Sequence, residues 1–314
     1  MIPILELLPT VYFWLYVGLG AAFLMQSIAS MAPAAPPNPA LAGVGLVEAS
    51  PAARTPRLLP TLIAGLLAAS LATHLLHFVM RWTINGHAPL QSKHEVFTAT
   101  GLTTMIFTLV LYLSEKVWRT RGAGAVLGNL VFVLLTGLGG ILWTALGMRE
   151  DYKVANLVPA LQSAWHPPHV SAYMLGYGSL GLASLLALFY LLGAAGNKLF
   201  GGRVPLFRAL ASPLVDRWTY KIAGLGFPFM TAALCMGALW ADASWGEYWF
   251  WDAKETWALI SWAVFVVYFH LRFLKGWVGL RAQVVVLLGG VMIWITYMMI
   301  HVLPASQASL HVYN

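Results

Sequence analysis

The chain has 314 residues, of which 60% are hydrophobic and 9% charged, with a mean hydropathy of +0.75 and a formal net charge of +7. Soluble domains carry about 25% charged residues, so this composition excludes one and calls for a polytopic membrane protein. Nucleic acid is excluded as the reason for the positive charge, because the basic residues gather in alternate connections, the distribution of topology signals.

Eight apolar runs, near 8–31, 59–80, 95–114, 125–147, 169–194, 222–240, 255–273 and 283–303, are predicted as transmembrane helices. Each has about the 18–25 residues needed to cross roughly 30 Å of hydrocarbon, which makes the fold class all-α. The first run lacks a basic start and exceeds the apolar core of a cleaved signal, so it is expected to be retained. Connections 32–58, 115–123, 195–221 and 272–282 hold 13 of the 18 Lys and Arg. The positive-inside rule makes these cytoplasmic, in contact with anionic membrane lipids, and puts both termini on the outer side. The expected organisation is one integral membrane unit, with residues 1–150 supplying helices one to four and residues 151–314 supplying helices five to eight.

The first span has no ionisable residue beyond Glu6 at its edge and reads as a packing helix; the Pro- and Ala-rich 32–58 is a flexible connection. His74 and His77 lie near the outer end of the second span, where an imidazole is tolerated without a ligand. In the following RWTINGHAPLQSKHEVF, Arg81 and Trp82 suit an interfacial anchor, while Gly86 and Pro89 mark a turn. Spans three and four carry small residues that permit close helix contact and no evident chemistry.

The next outer loop ends LQSAWHPPHV, with His166 and His169 flanking two prolines. Pro167 and Pro168 are expected to keep His166 out of a regular helix and to set His169 in the first turn of the fifth span. In the sixth span Pro228 is expected to kink the helix, and the lone Cys235 is expected to be a small buried hydrophobe. With no second cysteine, the chain forms no internal disulfide and runs no thiol relay.

The most distinctive stretch is WADASWGEYWFWDAKETWALISW, residues 240–262, which holds six of the 14 tryptophans: Trp240, Trp245, Trp249, Trp251, Trp257 and Trp262. Aromatic belts scatter one or two rings per helix end, whereas rings bunched in one outer loop suit a flat, partly polar ligand. His169 and His311 flank this loop in sequence and share its predicted side. Two neutral imidazoles across an aromatic shelf suit a heme iron ligated on both faces. Zinc would need three or four ligands in tetrahedral spacing, and no such pattern is present. His270 lies near the opposite end of the seventh span, roughly 22 Å along the helix from the Trp-rich loop, and cannot share that iron. A heme at His270 would need its second ligand from a partner subunit or remain five-coordinate. Asp252, among the indoles, reads as an acceptor of indole N–H bonds or a partner of Lys254 that fixes the loop, rather than as a general acid.

WGEYWFWDAKETWALISW followed by YFHLR resembles the WWD motif of the heme-handling proteins of cytochrome c biogenesis, and specifically the CcsA (ResC) family of the system II pathway. The likeness is dense over residues 161–314 and extends more weakly to RWTINGHAPL. The sequence departs from the family's usual pattern at QSKHEVF and at the ending HVYN. By that resemblance His169 and His311 correspond to two external heme-ligating histidines and His270 to a transmembrane histidine. Trp245, Gly246, Trp249, Trp251 and Asp252 correspond to the WWD core. The resemblance implies heme b as the bound group and a CcsB (ResB) membrane partner. It also implies delivery of heme outward to the CxxCH motif of apocytochrome c, dependence on thiol-reducing proteins, and a plasma or thylakoid-type membrane. Any heme lyase activity would belong to the complex. Two other classes remain open on the residues alone: a membrane heme b electron carrier or quinol-oxidising subunit, and a transporter of another flat amphipathic solute.

Overall fold

The computed structural model describes residues 2–30, 58–116, 123–150 and 158–298. Among them, eight helices or helix pairs are long and apolar enough to cross a membrane, and the chain is a multi-pass membrane protein. In order these are α1 (Ile2–Ala29), α2 (Leu58–Asn85), α3 (Lys93–Glu115), α4 (Ala123–Leu135) continuing through a π turn (Thr136–Ile141) into α5 (Leu142–Arg149), α6 (His166–Leu199), α8 (Pro213–Trp245), α9 (Ala253–Lys275) and α10 (Leu280–Met298). A short α7 (Pro205–Leu210) links α6 to α8. The expected all-α architecture and span count hold, although α6 and α8 extend several residues beyond the apolar runs. Hydropathy marks the lipid-facing middle of a helix, whereas helix ends at the interface are polar.

In a bundle whose helices are apolar on most faces, small and polar residues reveal which face turns inward. In α2, Ser70, His74, His77 and Arg81 are all buried and recur every three or four residues, forming one inward stripe. The stripe meets Tyr12 and Tyr16 of α1, with Tyr16 Oη 2.9 Å from His74 Nδ1 and Tyr12 Oη 3.3 Å from His77 Nδ1. His74 and His77 are therefore buried packing groups rather than interfacial ones. Cys235 also corrects the sequence reading, because it is exposed on the outer face of α8.

Helices α6 and α8 pack along their lengths. A Cβ built at Gly176 would stand 2.9 Å from the backbone nitrogen of Met230, and one at Gly226 would stand 2.7 Å from Ser179 Cβ. Ser179 Oγ–H also donates to the Ile222 carbonyl at 2.7 Å. Gly176→Ala is expected to push the two helices apart and cost about 1–3 kcal/mol. Gly181→Ala, with open space around it, should leave thermal unfolding in detergent unchanged; equal midpoints for both variants would contradict this packing.

At the end of the bundle opposite the Trp-rich loop, Asp216 ties three helices together. It accepts from Arg272 at 2.7 and 3.1 Å, from Gln283 Nε2 at 2.8 Å and from the Gly279 N–H at 3.0 Å. Arg217 and Lys221 pair with Glu115. Some of the basic residues read as topology signals are thus also structural partners.

Candidate functional site

One cavity of about 490 Å³ opens where α2, α8 and α10 end and α3, α6 and α9 begin. Its walls include His87, Glu95, His166, His169, Tyr173, Trp240, Trp249, Lys254 and Tyr297. The volume lies within the range of roughly 300–1,000 Å³ typical of cofactor-sized ligand sites.

His169 owes its position to the start of α6. Trp165 caps the helix, and Pro167 and Pro168 occupy the first turn, where a missing N–H breaks no helical bond. His166 is the first helical residue, contrary to the expectation that the prolines would exclude it, because those prolines follow it within the turn where proline is tolerated. His166 is buried against Trp240, their ring centroids 5.6 Å apart. His169 stacks on the same indole at 5.4 Å and 24°, and meets Tyr173 edge-on at 5.0 Å.

His169 Nδ1 lies 2.9 Å from the Ala233 carbonyl of α8. A carbonyl only accepts, so Nδ1 carries the proton, and in the neutral ring Nε2 holds the lone pair. Metal-ligating histidines are commonly fixed in this way. The ring fits because residue 237 is glycine: a Cβ there would come within 2.6 Å of His169 Cε1. Gly237→Ala is accordingly expected to displace the ring and leave membrane insertion intact; an unshifted His169 ring resonance in that variant would contradict the arrangement.

The Trp-rich stretch divides by role. Trp240 is buried, and its Nε1–H donates to the Ala160 carbonyl at 2.8 Å. Trp245 packs on it at 4.8 Å, and Gly246 closes α8 with φ +86°, a left-handed cap that suits glycine. Trp249 lines the cavity, and the exposed Trp251 meets it at 5.8 Å and 83°. Trp251 holds φ +55°, a conformation costly for a bulky side chain and one that clusters at functional sites. Trp257 and Trp262 belong to α9 rather than to the loop, and Trp262 Nε1–H donates to Thr231 Oγ1 at 3.0 Å.

Asp252 holds the loop through the backbone. Its carboxylate accepts the Lys254 N–H at 2.7 Å, and Glu255 accepts the N–H groups of Phe250 at 2.9 Å and Asp252 at 3.2 Å. This reciprocal cap at the start of α9 repeats at the start of α3. There Ser92 Oγ accepts the Glu95 N–H at 3.2 Å, and Glu95 accepts those of Gln91 at 3.0 Å and Ser92 at 3.1 Å. Glu95 also receives Arg81 Nε–H at 3.0 Å and Asn85 Nδ2 at 2.8 Å. Neither cap was singled out from sequence, although Ser92-x-x-Glu95 and Asp252-x-x-Glu255 are both readable capping boxes.

His270 is not part of this site. It lies 17 residues beyond Ala253 along α9, roughly 25 Å at 1.5 Å per residue. It is exposed, whereas Ala258, Ser261, Phe265 and Tyr268 form the buried face of α9. His311, the other predicted external ligand, lies outside the described residues.

The family model described as "Cytochrome C assembly protein" matches residues 61–306. The chain belongs to the cytochrome c assembly protein family. It is 36% identical over 263 residues to the cytochrome c biogenesis protein CcsA of Trieres chinensis, covering 74% of this chain and 82% of that one. The CcsA proteins of Cyanophora paradoxa and Synechococcus sp. (strain JA-3-3Ab) are 32% and 31% identical, over 76% and 75% of this chain and 84% and 81% of their own lengths. The matched region takes in α2 and α3 as well as the densely similar C-terminal half. Cytochrome c biogenesis is therefore this protein's role, with heme handling and apocytochrome c implied by the family.

Proposed function

We propose that this chain holds heme b in the outer cavity, with His169 and His311 as axial ligands, and presents it to apocytochrome c. The observation that carries the reading is the His169 imidazole, fixed through Nδ1 by the Ala233 carbonyl against Trp240 in a cavity that Trp249 also lines. A tautomer set this way keeps Nε2 basic, and indole faces exclude water from a macrocycle. Heme is cargo here. The chain's own side chains grip the iron, line the ring and hold the loop still through Asp252 and Glu255. A cysteine of the CxxCH motif adds its S–H across a vinyl double bond, forming one C–S and one C–H bond, so attachment consumes no oxidant. Positioning carries most of such a step, which accounts for assigning no side chain as a proton donor. Release then has one axial histidine yield to the histidine of CxxCH.

His270 supports a second, inner position in the same path. Exposed on α9 and distant from the cavity, it suits an iron whose other ligand comes from a CcsB (ResB)-type partner. Thiol-reducing proteins enter indirectly, by keeping CxxCH reduced, and lyase activity belongs to the complex. The basic residues at the opposite end of the bundle favour the cytoplasm there, which supports reading the cavity and both termini as external.

Purification of the full chain with its partner, followed by absorption spectroscopy, tests the reading. His270→Ala is expected to lower heme per complex, with partial recovery in imidazole, while Trp249→Ala and Trp251→Ala lower holocytochrome yield without altering insertion. Full loading in the first variant removes the inner position, and normal yield from both tryptophan variants reduces the loop to an interfacial anchor.

A further inference from the structure

The charges around the cavity are unequal in availability. Its two carboxylates, Glu95 and Glu255, are both engaged by backbone N–H groups, and Glu95 by Arg81 as well. Lys93 and Lys254 line the same cavity and are exposed at its mouth. Among the described residues, neither ammonium makes a hydrogen bond or ion pair. Asp252, two residues before Lys254, takes that residue's backbone N–H and attracts its ammonium through space.

One further donor on these walls is buried without a partner, the Trp249 indole N–H; His87 Nε2 is also unpartnered, but with Nδ1 3.1 Å from the Ala88 carbonyl it is the accepting nitrogen of its ring. A buried donor left unmatched is unusual in a folded protein and indicates a group that arrives from elsewhere. Lys93 and Lys254 stand in the first turns of α3 and α9, just after the two connections, from α2 and from α8, that carry His87 and Trp249. Each connection is held by one of the capping boxes, so the donors stand on fixed backbone rather than on free loops.

From this arrangement we infer that the cavity has a carboxylate subsite, in which Lys93 and Lys254 take the two propionates of the heme and the Trp249 N–H serves as a further donor. The inference rests on the heme reading above and deepens it. Two axial histidines alone leave a macrocycle free to rotate about the line joining them. Anchoring one edge by charge-assisted bonds stops that rotation and holds the vinyl edge at a constant place for the incoming thiols.

The experiment titrates ferric heme and its dimethyl ester, in which both carboxylates are neutralised, into the full chain with its partner in detergent, with His270→Ala in every sample, the wild-type reference included, so that only the outer position is read. Wild type is expected to bind the free acid about tenfold more tightly, the equivalent of one charge-assisted bond. The Lys93→Gln/Lys254→Gln variant is expected to bind both with equal affinity while keeping the same low-spin spectrum. The ester's greater partition into micelles is common to both proteins, so the ratio between them reads the site. Low-spin binding with no preference in wild type, or a preference that survives in the variant, overturns the carboxylate subsite and leaves the heme reading standing. Absence of a low-spin spectrum with either compound in wild type, or its persistence in His169→Ala, overturns both.

Discussion

Alanine at position 169 is expected to empty the outer cavity of heme. Loss of an orienting partner typically costs ten- to a hundredfold in affinity, so loss of the ligand itself should exceed about a hundredfold. The side chain also fills the gap left by Gly237 and stacks on Trp240. Added imidazole should therefore enter the vacated space and restore part of the heme absorbance. His166→Ala provides the comparison: its ring lies tilted against the same indole at 5.6 Å, at the first position of α6. The account expects that variant to retain bound heme. Loss in His166→Ala together with retention in His169→Ala would exchange their roles.

The second large effect is expected at Glu95. Its side chain and that of Arg81 are only 3% and 2% exposed, and four donors converge on the one carboxylate. Removing one partner of a buried pair leaves an uncompensated charge and costs about 3–5 kcal/mol. Glu95→Ala should lower the unfolding midpoint accordingly and release the 86–92 connection to proteolysis. Arg217→Ala is the contrast, because Arg217 is 55% exposed in its pair with Glu115 and such pairs contribute about 0–1 kcal/mol. Similar losses from the two variants would show that Glu95 is not the tie between α2 and α3.

The eight spans are legible in the sequence because a helix crossing hydrocarbon must be apolar over most of its length, and hydropathy reports that directly. The same uniformity hides which face turns inward. Cys235 was expected inside on chemistry alone and lies outside, and the inward stripe of Ser70, His74, His77 and Arg81 shows only in its three- and four-residue spacing. Its partners Tyr12 and Tyr16 lie 65 and 58 residues away in sequence from the histidines they meet, a pairing that no local pattern announces. His169 was legible because prolines mark where a helix begins. His87 and Lys93 were not, since the connection and the helix start that carry them gain their meaning from lining one cavity with Trp249 and Lys254. The two capping boxes were readable and went unused, although they hold both connections in place.

The central claim is that one iron is gripped from both sides at the outer end of the bundle, with His169 as one ligand and His311 as the other. Near-infrared magnetic circular dichroism of the ferric complex, purified as full chain with partner from a His270→Ala background, reads the axial ligands directly. The account predicts bis-imidazole ligation that becomes mono-imidazole on His311→Ala. A bis-imidazole signal that survives His311→Ala unchanged, or a second ligand in the parent complex that is not nitrogen, would contradict it.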